Sequence, residues 1–205
     1  MTGSNISSAD QDEAVEKRPA VFLDRDGTIN VEKDYLWRPE DFEFIAGSVE
    51  AIRRLKEAGF LVIVVTNQSG VARGYFGIEE VETLHRHIQE QLEQTGTRID
   101  GFYLCPHHPE QGVGAFRREC DCRKGNPGLL LQAAREHGID LAASFMVGDK
   151  RADLEAGRRA GCRSFLVLTG YGREEAQKLP SGSFDAFPSL QEAVDFILEQ
   201  RTPQP

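Results

Sequence analysis

Asp24-Arg25-Asp26-Gly27-Thr28 follows directly on the apolar run Ala20-Val21-Phe22-Leu23, so two carboxylates stand two residues apart at the end of a strand-like segment. Side chains at i and i+2 of an extended chain point the same way, and both acids leave the strand end on one side. Ionised carboxylates held that close repel each other. The pair persists beside a divalent cation or by sharing a proton. Gly27 lets the chain turn sharply and brings backbone close to a ligand. Such a pair suits chemistry on an anion held with a metal.

Three further segments carry matching residue types. Thr66-Asn67-Gln68-Ser69-Gly70 offers a hydroxyl and amides that can donate to phosphoryl oxygens, Arg123-Lys124 adds two cations, and Gly148-Asp149-Lys150 adds a third carboxylate. Phosphoryl transfer needs a nucleophile in line with the leaving oxygen and cations to absorb charge. Asp24 can attack phosphorus and form an aspartyl-phosphate. Asp26 can give a proton to the leaving oxygen and later take one from water. Asp24, the backbone carbonyl of Asp26 and Asp149 would supply hard oxygen ligands to Mg²⁺. Thr66 and Lys124 would hold the phosphoryl oxygens. Taken singly, each segment has an ordinary reading: a solvated turn, a strand threonine, a surface lysine, a strand-to-helix turn. Four together at four strand ends reverse it. Asp153 reads either as a helix cap or as a support for the site.

Cys105-Pro106-His107-His108 and Cys120-Asp121-Cys122 bracket a long loop. Cys105, His107, Cys120 and Cys122 make a closed tetrahedral Zn²⁺ set with no open position, hence a structural one. His108 in place of His107, or three free thiols, are the competing readings. The zinc loop, 105–122, would position Arg123 and Lys124, which follow it directly. Cys162 reads as a packed apolar residue.

The elements that must hold these residues alternate. Strands are expected over residues 20–24, 60–66, 99–104, 144–149 and 164–168, with a weaker sixth at 184–187. Helices are expected over 49–58, capped by Ser48, and over 79–94, 127–136 and 151–160. A last helix opens on Ser189 and Glu192 as a capping box and runs to about residue 200. Nearly all-apolar strands alternating with helices predict an α/β domain, a doubly wound parallel sheet covered on both faces. Residues 1–18 read as a disordered tail, 19–200 as one domain, and 201–205 as a flexible end.

The chain of 205 residues has a net charge of −9, against any broad basic surface for nucleic acid or anionic membrane. No apolar run reaches membrane-spanning length and the N-terminus lacks a signal-peptide core, so the cytoplasm is the default location. Its reducing conditions favour metal or packing roles for the four cysteines.

DRDGT, TNQSG, RK before a helix and GDK resemble the four motifs of the haloacid dehalogenase superfamily of phosphatases. The resemblance covers nearly all of residues 20–172. It implies a Rossmann-like fold with Asp24 as nucleophile, Asp26 as acid and base, Thr66 and Lys124 stabilising the phosphoryl group, and Mg²⁺ on Asp24, Asp26 and Asp149. DRDGTIN, TNQSGVARG, CPHH with CDCRK, and MVGDK together resemble the heptose 1,7-bisphosphate 7-phosphatases of nucleotide-activated heptose synthesis. That resemblance implies no large cap domain, a small phosphosugar substrate and a zinc loop walling the pocket. By matching positions it places Arg25, Glu32, Lys33, Asp34, Tyr35, Asn67, Gln68, Ser69, Arg123 and Lys150 against substrate, with Arg123 and Lys150 clamping a second phosphate and Arg73 a weaker candidate. Gly125-Asn126 departs from a proline usual after the lysine, which would loosen the loop. Histidinol-phosphate phosphatase is the nearest rival, disfavoured by the twelve residues between His107 and Cys120. A nucleic-acid 3′-phosphatase suits the acidic chain poorly, and a non-catalytic zinc-stapled binding module leaves the acids unexplained. A short chain without a cap is compatible with a monomer.

Overall fold

The computed structural model describes residues 17–180 and 182–200. The expected termini, 1–18 and 201–205, lie almost wholly outside the described residues. Lys17 and Arg18 are the exceptions, and the Arg18 backbone pairs with Gly138 and Asp140.

Six strands form one parallel sheet, β1 (Ala20–Leu23), β2 (Leu61–Asn67), β3 (Gly101–Cys105), β4 (Phe145–Gly148), β5 (Arg163–Val167) and β6 (Asp185–Phe187), in the order β3-β2-β1-β4-β5-β6. The helices are α1 (Ser48–Glu57), the short α2 (Ser69–Ala72), α3 (Ile78–Gln94), α4 (Gly128–His137), α5 (Arg151–Ala160), α6 (Gly172–Lys178) and α7 (Leu190–Glu199). Alternate strand residues serve opposite faces, as the period of two requires. Val21, Leu23, Val62, Val64 and Val147 pack with Leu55, Leu84, Ile88 and Ile197 on one side. Ala20, Phe22, Ile63, Val65 and Met146 pack with Leu130, Ala133 and Ala156 on the other. No large cap stands over the sheet among the described residues; long loops join β1 to α1 and β3 to α4.

The chain winds from β1 toward β3 in one direction and from β4 toward β6 in the other. The direction reverses between β1 and β4, and the crevice beyond their carboxyl ends is where such sheets bind ligands. Asp24 and Asp149 lie there, one residue past each strand.

Some local expectations change. Ser48 is inside α1 rather than capping it, and its hydroxyl donates to the Ile29 carbonyl at 2.8 Å. Helices α2 and α6 were not anticipated, being four and seven residues long, too short for helical periodicity to show. Gly125-Asn126 is tied down rather than loose. Gly125 donates to the Ala152 carbonyl at 2.9 Å in a left-handed conformation (φ +94°), and Asn126 bonds the Cys120 carbonyl and Arg159 at 3.1 and 2.8 Å. Interloop hydrogen bonds replace the stiffness a proline would give.

Candidate active site

Lys124 sits between two buried carboxylates, its Nζ 2.5 Å from Asp24 Oδ1 and 2.8 Å from Asp153 Oδ1. Burial works against its charge, but Asp153 and Asp24 outweigh burial and hold the ammonium above its usual range. Asp24, Asp149 and Asp153 are all buried and offer oxygens within 4.8 Å of one another. Asp153 has two tasks: its Oδ2 also accepts the Lys150 backbone N–H at 2.9 Å, capping α5. Burial, then the Asp24 charge, pushes Asp149 up to about 8, and its Oδ1 has no hydrogen-bond partner. Three clustered carboxylates with one lysine are short of positive charge. A hard divalent cation fits that deficit and the all-oxygen donor set.

The turn carrying Gly27 closes tightly over this cluster. Gly27 adopts φ +83°, and a Cβ there would come within 2.2 Å of Asp149 Oδ2. Thr169 Oγ1 donates to the Gly27 carbonyl at 2.6 Å, docking the loop after β5 on the acidic turn.

Asp26 faces a different neighbourhood. Arg25 donates from Nε and Nη2 to its two oxygens at 2.8–3.2 Å, and Asn30 and Gln68 each donate at 3.0 Å. Burial pushes its pKa upward, but the Arg25 charge and these hydrogen bonds prevail and hold it below the usual carboxylate range. Both of its oxygens are thus engaged within the protein. Gln68 Nε2 also donates to Thr66 Oγ1 at 2.8 Å, linking the second strand end to Asp26. Asn67 Oδ1 accepts the Lys124 backbone N–H at 2.9 Å. The Thr66–Gln68 segment thus positions both Asp26 and Lys124.

A cleft of about 280 Å³ opens beside Asp26, walled by Glu32, Asp34, Tyr35, Asn67, Gln68, Ser69, Lys150 and Tyr171. Lys150 Nζ lies 3.3 Å from Glu32 Oε2. Burial, with the Asp26 charge, pushes Glu32 above the usual range. Three expected substrate contacts lie outside the lining of this cleft. The Arg25 side chain is wholly buried and bonds Asp26 and the Leu36 carbonyl, because Asp26 draws the guanidinium inward. Lys33 turns to the Asp41 carbonyl and Glu43. Arg123 donates to the His107 carbonyl at 2.9 Å and lines a neighbouring depression with Lys124 and Arg159.

Cys105, His107, Cys120 and Cys122 converge, with the sulfurs and His107 Nδ1 separated by 3.2–3.7 Å in the closest pairs. These separations are too long for disulfides and match the edges of a small metal-centred tetrahedron. His108 is turned away, its Nδ1 accepting the backbone N–H groups of Glu110 and Gln111. The set could hold one metal ion.

An Escherichia coli K12 protein named D-glycero-β-D-manno-heptose-1,7-bisphosphate 7-phosphatase is 50% identical to this chain over 153 residues, 74% of the chain and 80% of the relative. The Yersinia pestis protein of that name is 49% identical over 74% of the chain and 81% of its own length. The chain belongs to this phosphatase family. A family model described as HAD-hydrolase-like matches residues 121–193. The fold of this heptose-bisphosphate phosphatase family member superposes on the D,D-heptose 1,7-bisphosphate phosphatase of B. bronchiseptica, complexed with magnesium and phosphate, with TM-score 0.78 and 36% identity. That match covers 89% of this chain and 99% of the other. The Burkholderia thailandensis enzyme gives TM-score 0.66 and 32% identity, over 88% and 99%.

Sequence reasoning missed Tyr171. Its backbone N–H donates to Asp149 Oδ2, and its hydroxyl to Asp34 Oδ1, both at 2.8 Å. The signal was its place just past β5, at the same carboxyl edge as the motifs.

Proposed function

We propose that the chain removes the C7 phosphate of D-glycero-β-D-manno-heptose 1,7-bisphosphate through an aspartyl-phosphate on Asp24, in nucleotide-activated heptose biosynthesis. The observation that carries this is the Asp24–Lys124–Asp153 ion-pair chain beside Asp26, in a chain half identical to phosphatases named for that substrate.

In this reading one Asp24 oxygen attacks phosphorus as the bond to the sugar oxygen breaks, and Lys124 and Thr66 hold the phosphoryl oxygens. Asp26 protonates the departing sugar oxygen, then takes a proton from the water that attacks the acyl phosphate. Phosphate leaves and the Asp24 carboxylate returns. The free site keeps Asp26 ionised, and a phosphate dianion arriving beside it raises its proton affinity for the first step. Asp24, Asp149 and the Asp26 carbonyl would hold Mg²⁺, which would neutralise charge on the phosphoryl group. Glu32, Asp34, Tyr35, Asn67, Gln68, Ser69 and Lys150 wall the sugar site, and Arg123 meets the second phosphate from the zinc-loop side.

Zn²⁺ on Cys105, His107, Cys120 and Cys122 is structural in this reading, since four protein ligands leave no open position. Reduced thiols suit the cytoplasm. Residues 19–200 act as one phosphatase domain, and a monomer suffices because one chain supplies every residue used. Among the described residues no helix is long and apolar enough to cross a membrane.

Phosphate release from the β and α bisphosphates, assayed beside histidinol phosphate, tests the assignment. The β anomer is expected to give the highest kcat/KM, by about tenfold or more. Faster turnover of histidinol phosphate would overturn it.

A further inference from the structure

Lys150 is held between an aromatic face and a single ion-pair partner, Glu32. Its ammonium stands 4.5 Å from the centroid of the Tyr171 ring. Its hydrogen bond to Glu32 Oε2 is long, at 3.3 Å. A carboxylate partner neutralises an ammonium and occupies a donor. An aromatic ring attracts it through the quadrupole and leaves its N–H groups free. An ammonium has three N–H groups, so with one given to Glu32 Lys150 is fixed in place with donors still available to an incoming anion.

Tyr171 is itself immobilised from both ends. The backbone N–H donates to Asp149 Oδ2 and the phenol donates to Asp34 Oδ1. Asp34 and the next residue, Tyr35, take φ +43° and +61°, a left-handed backbone that residues with a Cβ adopt only where surroundings hold them. The phenol is one such hold, and it spans from the loop after β5 to the opposite wall. Tyr171 lines the cleft with Lys150, Asp34 and Tyr35.

We propose that Tyr171 is a positioning residue that sets the preference for a substrate bearing a second phosphate: its ring aims the Lys150 ammonium at that anion, and its hydroxyl fixes the Asp34–Tyr35 wall. The identity of that substrate rests on the function proposed above. The pairing of Tyr171 with Lys150 does not.

The test compares wild type, Tyr171→Leu and Tyr171→Phe, each checked for native circular dichroism, on the 1,7-bisphosphate and the corresponding 7-monophosphate. Removing the ring is expected to raise KM for the bisphosphate about tenfold, with a smaller change in kcat, and to lower the bisphosphate-to-monophosphate ratio of kcat/KM. Tyr171→Phe keeps the ring and is expected to recover most of that ratio. Equal losses on both substrates, or a Phe variant as poor as Leu, would overturn the proposal. A wild type without preference for the bisphosphate would instead sink the proposed substrate. In that case the pairing is read on whichever phosphomonoester turns over best: on a Lys150→Met background, Tyr171→Leu should add little further loss. Full additivity of the two changes overturns it.

Discussion

The Arg25 guanidinium grips both oxygens of Asp26 from a position with no solvent exposure, while its own backbone N–H donates to Asp24 Oδ1 at 2.7 Å. One residue thus holds both acids of the turn, and its charge keeps Asp26 below the usual carboxylate range.

Arg25→Met should therefore cost more than packing. Asp26 would lose its charged partner and its fixed orientation, and kcat should fall about a hundredfold or more, the weight of a positioned acid and base. Arg25→Lys should rescue little, because a single ammonium cannot reproduce the planar fork. Steady-state kinetics beside thermal melts check this, and a lysine variant near wild-type kcat would contradict it.

His85 stands behind Arg25, its Nε2 3.4 Å from Nη1 and its ring stacked on Phe102. Burial first, then the Arg25 charge, lowers its pKa from 6.5 to about 3. Between those values the unfolded chain binds a proton that the folded chain refuses, so stability falls as pH falls through that window. At about pH 5 the contribution is about 2 kcal/mol against folding. His85→Gln should accordingly lose less Tm than wild type between about pH 7 and about pH 5. Parallel curves would contradict the assignment.

The proposed zinc on the long loop makes a separate prediction. Chelation should expose three reactive thiols, those of Cys105, Cys120 and Cys122, while Cys162 stays buried. It should also lower Tm and raise KM, because Arg123 leans on the His107 carbonyl. Zinc content with thiol titration before and after chelation checks it. Unchanged thiol reactivity would contradict a metal at these four residues.

What the sequence made legible was what lies within one segment. DRDGT, TNQSG and GDK each sit at a strand's end, and strand ends are marked by apolar runs giving way to polar residues. C-x-H and C-x-C likewise bring four residues that could hold a metal into two short pieces. Side-chain direction was not legible: Arg25 stands between two site aspartates yet turns inward, because Leu36 and His85, from the following loop and from α3, are brought to it by the fold. Asp153 could be a cap or a support, and it is both, since the α5 turn puts one oxygen on Lys150 N and the other on Lys124. Tyr171 follows a strand without any motif, and only the sheet order places it against Asp149.

Gly170 lies under Asp149, opposite Gly27. A Cβ on Gly170 would come within 2.3 Å of Asp149 Oδ2 and 2.6 Å of the Gly27 Cα, at φ +52°. Gly170→Ala should displace the Asp149 carboxylate and weaken Mg²⁺ binding about tenfold or more, as loss of a ligand's support does. Mg²⁺ titration of activity measures this. An unchanged half-saturating Mg²⁺ concentration would count against Asp149 as a ligand.

The attack by Asp24 is the centre of the account, and acid-quenched single turnover with substrate labelled in the C7 phosphate tests it most directly. The label should appear transiently on the peptide carrying Asp24 and be absent from Asp24→Asn, which should fold, keep its zinc and lack turnover. Turnover by Asp24→Asn near the wild-type rate, or label on another residue, would contradict it.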